Sequence, residues 1–148
     1  MSKPNAKPLI NFFYPNKKYY LRNSNSLKTF IETIFLKEGK ELNSMNYIFC
    51  SDNDLLKINK AYLNHNYFTD IITFNLSDNK EIIQGEAYIS IDRVMANAKR
   101  MKISFKNELL RVIFHGSLHL CGYNDKTNIE AGTMREKEDY YLSIYTTI

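Results

Sequence analysis

Proline is scarce in this chain and confined to one end. Pro4, Pro8 and Pro15 are the three, all within the first fifteen of 148 residues, so nothing beyond them reads as a proline-rich linker or a place to divide the chain. Internal repeats and low-complexity tracts are lacking as well. One domain over 1–148 is therefore expected, a length at which about two-thirds of the unfolded surface can be buried around one core. Cysteine is nearly absent, with only Cys50 and Cys121. That scarcity, and the lack of a signal-peptide-like apolar stretch at the start, point to the reducing cytoplasm. The longest apolar runs are a few residues, whereas a membrane span needs about 20, so no membrane partner is expected.

Apolar residues make up 44% and charged residues 24% of the sequence, which excludes the low-hydrophobicity signature of a disordered chain. The formal charge of +4 says less than its distribution. Arg93, Lys99, Arg100, Lys102, Lys106 and Arg111 cluster in one stretch, against only Asp92 and Glu108 in and beside it. Such a cluster could steer a polyanion; a solvated, lysine-rich helix face is the commoner reason for one.

Residues 9–14 (LINFFY) read as a strand, short, apolar and aromatic. Leu27, Phe30, Ile31, Ile34 and Phe35 fall on one face of a helix over 26–37, which Gly39 ends. A second strand is expected over 45–50. Ser51 and Asp54 then stand in capping-box spacing ahead of a helix reaching Leu63. Strands over 71–76 and 86–91 flank a polar turn at Ser77 to Lys80. Asp92 is the expected cap of a helix over 93–101 and Ser104 of one over 105–121, and a last helix spans 129–145. The order predicts an α+β fold, a small mixed β-sheet covered by helices.

The stretch 105–121 is apolar nearly all round, as a buried central helix would be. Into it the sequence sets His115 and His119, four residues apart and so on one side, one turn from each other. Gly122 can end the helix in a left-handed conformation, and Asp125, three residues on, can bring a carboxylate back toward the histidines. Two histidines and one carboxylate, H-x-x-x-H-x-x-G-x-x-D, suit a catalytic zinc site with one position open to water. The expectation is a metal on His115, His119 and Asp125, with these three as the catalytic set, and hydrolysis as the reaction. Iron or manganese would also suit these donors. Cys121 lies round the helix from His119 and is expected to pack, not to bind.

Residues 115–123, HGSLHLCGY, resemble the signature HGxLHLxGYDH of the YbeY family of bacterial rRNA maturation factors. Asn59 and Tyr62, the run Thr69-Asp70-Ile71-Ile72-Thr73-Phe74, and Gly85 to Ile89 match further family segments, so the resemblance covers nearly the whole chain from about residue 45. It implies a metal-dependent, single-strand-specific endoribonuclease acting in 16S rRNA 3′-end maturation and ribosome quality control, with the ion, most readily Zn2+, on the central helix. It also implies RNA, and with it the small ribosomal subunit or assembly factors, as partners. Asp125 stands where the family has its third histidine, and Asn124 replaces the usual aspartate. Leu63 occupies the place of a family arginine thought to serve RNA binding or catalysis, and neither Lys60 nor His65 nearby is a convincing replacement. Asp70 and Glu86 are possible supporting acids by their matched positions, although a turn and a solvated face explain them more simply.

A metzincin-like protease shares the histidine spacing, but it needs a glutamate directly after the first histidine as general base, and Gly116 stands there. A non-catalytic rRNA-binding or assembly protein with a structural metal is the other alternative.

Overall fold

In the computed structural model, which describes residues 7–147, the elements follow the order β1 (Leu9–Phe13), α1 (Ser24–Lys37), β2 (Glu41–Cys50), α2 (Asp52–Leu63), β3 (Ile71–Asn75), β4 (Ile82–Ser90), α3 (Ile91–Met101), α4 (Phe105–Leu120) and α5 (Asn128–Tyr145). The four strands form one sheet in the order β1-β2-β4-β3. Both β1 and β4 run parallel to β2, and β3 runs antiparallel to β4. The expected α+β fold with a mixed sheet is the one observed. Among the described residues, no helix is long and apolar enough to cross a membrane.

Alternation along the strands sorts the two faces of the sheet. Met45, Tyr47 and Phe49 of β2 and Ile83, Ala87 and Ile89 of β4 point into the main core with α1, α4 and α5. The opposite face carries a smaller cluster, in which Cys50 and Ile72 pack with Leu55 of α2. The five apolar residues of α1 read from sequence are its buried face, and Gly39 follows that helix at φ 71°.

Boundaries moved where polar residues hide a strand. β2 starts at Glu41 and β4 at Ile82, each four residues before the sequence reading, because Glu41, Asn43 and Gln84 break the apolar signal while backbone pairing continues across a register shift between Leu42 and Ser44. The capping box of Ser51 and Asp54 is formed, and so is the turn after β3, where Asn75, Ser77 and Asn79 side chains satisfy successive backbone amides. Asp92 is not the cap of α3. Ser90 caps it, accepting from the Arg93 amide at 3.1 Å, and Asp92 accepts from the backbone N–H of Asp52 at 3.0 Å instead. The serine at the strand end directly precedes the helix, where its oxygen can accept from a first-turn amide, whereas Asp92 is already the second residue inside it.

Helix α4 lies on β3 and β4, and Gly116 sets how close it comes. A Cβ there would meet Ile71 Cδ1 at 2.7 Å and Thr73 Cγ2 at 3.4 Å. A mid-helix glycine is less favourable than alanine by about 1 kcal/mol, and here it makes room for the sheet. The next residue is Ser117, whose hydroxyl is hydrogen-bonded to the phenol of Tyr47, and both side chains are fully buried. Ser117 Oγ also donates to the Ile113 carbonyl at 3.1 Å.

That pair is asymmetric. Tyr47→Phe leaves Ser117 with its carbonyl partner and should lower the unfolding free energy by about 0.5–1.5 kcal/mol, whereas Ser117→Ala strands a buried phenol and should cost about 1–3 kcal/mol. Urea denaturation of the two variants checks the order. An equal or reversed loss would show that the phenol does not depend on Ser117.

Candidate active site on helix α4

Glu108, Val112, His115 and His119 follow one another at helical spacing along one side of α4, the side that faces α5, with Glu108 and Val112 buried and the two histidines half-buried. The two imidazoles are nearly parallel, with ring centroids 6.1 Å apart and 15° between planes. Each is fixed through Nδ1. His115 Nδ1 lies 2.7 Å from Glu138 Oε2 of α5, and His119 Nδ1 lies 2.8 Å from the carbonyl oxygen of Tyr123. Both partners are acceptors, so both Nδ1 atoms carry the proton. In a neutral ring, Nε2 is then a free lone pair, the form in which imidazole binds a metal.

The turn after α4 places the remaining donors. Gly122 has φ 106°, and the amide of Tyr123 closes back on the Leu118 carbonyl at 3.1 Å, a six-residue closure of the kind that ends helices with glycine. The reversal brings Asp125 Oδ2 to 3.3 Å from His115 Nε2. His115, His119 and Asp125 line one cleft together with Asp70, Asn59, Leu63 and Lys126. Asn124 is exposed and is not among the residues lining it.

Glu138 is the buried anion that orders the site. Its side chain is 6% exposed, and besides His115 it accepts from Arg111 Nη1 at 3.1 Å; Arg111 is also 2.9 Å from Asp139. Burial works to lower the His115 pKa, but the hydrogen bond and charge of Glu138, with Asp125 and Asp70 adding, carry it above the ordinary imidazole value. Burial raises the carboxyl of Asp70, against the pull of His115. Tyr123 is held in turn: its phenol donates to Glu38 Oε1 at 2.6 Å, and Glu38 also accepts from Tyr141 and from Lys137. Burial alone would raise the Glu38 pKa; these three donors hold it below the usual carboxylate range.

Other sequence expectations divide. Asp70 does reach the cleft beside His115. Glu86 does not: it follows Gly85, whose Cβ position faces Leu120 of α4, so Glu86 lies on the other face of the sheet, where it accepts from Tyr88 at 2.9 Å. Cys121 is buried in the main core, and burial, with Glu38 adding, pushes its thiol up to about 12. Of the basic cluster, Arg93 is paired with Asp52 at 2.9 Å and Arg111 with Glu138 and Asp139; the four lysine and arginine residues between them are exposed. Glu138 and Tyr123 were not singled out from sequence. The signal for Glu138 was its place in the buried row Met134, Glu138, Tyr141 of α5, since a charge at a core-facing position is almost never left unpaired.

The donor chemistry fits a divalent ion. Among the described residues, no three His, Cys, Asp or Glu side chains are already gathered closely enough to enclose one, so binding would require these side chains to draw together. Two Nδ1-anchored histidines and a carboxylate in one cleft are nonetheless residue types that suit a divalent ion.

An α+β fold with paired helix histidines and a carboxylate after a helix-ending glycine defines the class. The chain belongs to a family of known description: the model of the family "Endoribonuclease YbeY" matches residues 14–146. A protein of Cytophaga hutchinsonii named Endoribonuclease YbeY is 48% identical over 135 residues, covering 91% of this chain and 94% of that protein. One from Flavobacterium psychrophilum with the same name is 44% identical over 137 residues, covering 93% and 96%. The solution structure of a Thermotoga maritima protein, 26% identical, superposes with a TM-score of 0.60 over 93% of this chain and 89% of that one.

Metal titration against a chromophoric chelator separates the roles of these residues. Glu138→Gln should weaken zinc binding by about 10–100-fold, the usual effect of losing a ligand's hydrogen-bond support. Asp125→Ala should weaken it further, Asp125→His should retain it, and Asn124→Ala should leave it unchanged. Loss of affinity in Asn124→Ala with none in Asp125→Ala would reverse the assignment.

Proposed function

We propose that this protein is a metal-dependent, single-strand-specific endoribonuclease of the cytoplasm, acting as one domain on small-subunit rRNA in 3′-end maturation and in ribosome quality control. The observation that carries the reading is the paired anchoring of His115 and His119 through Nδ1, in a cleft they share with Asp125. These three residues would hold the ion, with Zn2+ the best match to two imidazoles and a carboxylate. When bound, a divalent ion supplies Lewis-acid chemistry, polarising the phosphodiester and making water nucleophilic near neutral pH.

The chain's own residues would do the rest. Glu138 and the Tyr123 carbonyl keep the imidazoles in the ligand tautomer and orientation. Lys126, in the cleft wall, is placed to pair with a phosphate, and Asp70 adds a second carboxylate beside His115. Family membership supports RNA as the substrate, since the relatives carry the name of an endoribonuclease. A peptidase reading has no support at the decisive position: Gly116 offers no carboxylate, and its Cα faces the sheet.

Chelation should abolish cleavage of single-stranded RNA and lower the melting temperature, and added zinc should restore both. Full cleavage by protein verified to be free of metal would refute the proposal, and tight rRNA binding without cleavage by the zinc-loaded protein would favour an assembly role instead.

Leu63 is exposed in the wall of the same cleft. Leu63→Arg should therefore tighten RNA binding and steepen its salt dependence by about one phosphate contact. Unchanged affinity and slope would place the RNA backbone elsewhere.

A further inference from the structure

The loop between α2 and β3 is hydrogen-bonded back onto the end of α2. Asn64 ends α2 in the left-handed region at φ 54°. The amide of His65 donates to the Asn59 carbonyl at 3.1 Å, and the Asn59 side chain donates to the Tyr67 carbonyl at 2.9 Å. Asn59 is 1% exposed, so one interior residue fastens the loop at two points. A buried amide used in this way fixes the path of residues whose own side chains face outward.

On that base His65 and Tyr67 lie ring against ring. Their centroids are 5.1 Å apart at 20°, and the Tyr67 hydroxyl and His65 Nδ1 are 2.9 Å apart. Both are exposed, Tyr67 to 56%, and both line the cleft that holds His115, His119 and Asp125. Phe68, next in the chain and 49% exposed, is braced by the Arg93 guanidinium 5.1 Å from its ring centre. Arg93 is itself tied to Asp52. Aromatic surface held open beside a polar cleft calls for a planar, apolar-faced ligand. Lys126 lines this cleft, and Arg111 and Arg135 line the adjoining hollow that shares Asp70, His115 and Asp125; such charges hold a phosphate backbone but do not contact the bases.

We propose that the His65–Tyr67 pair is a stacking platform for an unpaired nucleobase of the RNA strand bound in this cleft. The inference rests on the ribonuclease reading and deepens it. Every base has a π-face, so the platform would be tolerant of sequence. A base already stacked within a duplex cannot offer that face without being unpaired, so the same contact selects single strands.

The test uses zinc-loaded protein and a short single-stranded 2′-O-methyl oligonucleotide, which resists cleavage, alongside the same strand with abasic sites. Wild-type protein should bind the base-bearing strand about tenfold more tightly than the abasic one, the scale of one stacked base. Tyr67→Ala and His65→Ala should each lose most of that preference with no change in salt slope, while Tyr67→Phe, which keeps the ring, should retain most of it. Melting temperatures, expected to be unchanged at these exposed positions, show that the variants are folded. Equal wild-type affinity for the two strands would overturn the platform, and so would an undiminished preference in Tyr67→Ala and His65→Ala. Either result, with RNA cleavage intact, leaves the ribonuclease reading standing; a wild-type protein that neither binds these strands nor cuts RNA would remove both.

Discussion

The close approach of α4 to the sheet at Gly116 is the constraint on which the site depends. The helix can settle onto β3 and β4 only because no side chain stands at that position, and this depth determines where the next positions on the helix emerge. His115 directly precedes the contact and His119 follows it by one turn, so both are held at the rim of the packed layer, partly exposed and partly walled. The Tyr47–Ser117 bond in the fully buried layer behind fixes the rotation of the helix as the glycine fixes its distance. Two imidazoles on a solvated helix would lack such definition, because their rotamers and the helix itself could shift.

Orientation of the histidines is divided between two other parts of the chain. A buried carboxylate from α5 serves one and a backbone carbonyl from the turn serves the other. Glu138 would be costly in the interior by itself, but Arg111 and His115 both pair with it, and breaking either contact leaves an uncompensated buried charge. Glu38 plays the corresponding part behind Tyr123, joining the end of α1 to the turn through Tyr123 and to α5 through Lys137 and Tyr141. The partners of the two histidines, Glu138 and the turn at Tyr123, are thus themselves hydrogen-bonded to other parts of the chain, and such connected polar networks rigidify what they hold.

Much of this was legible in the sequence where physics is local. The apolar face of α1, the capping box of α2, the turn after β3 and the glycine that closes α4 all follow from spacing within a few residues, and each is present. Family resemblance carried by HGSLHLCGY was likewise readable, and the family match extends over 14–146. The sheet order β1-β2-β4-β3 was not legible, since pairing between distant strands leaves no mark in either one. Nor was the role of Ser90 over Asp92, because which of two capping residues so close together is used depends on where the strand stops. Glu138 and Glu38 act across 23 and 85 residues of sequence separation, beyond the reach of any motif.

The division of the site's parts between two helices has a consequence for local stability. His115 and His119 stand on α4, whereas Glu138 stands on α5, beyond the turn that carries Asp125. Stability is not uniform across a structure, and one helix can open while the rest holds. An opening of α5 separates Glu138 from His115 although α4 still rests on the sheet. The site is therefore no more persistent than the docking of α5, whatever the stability of the sheet beneath it.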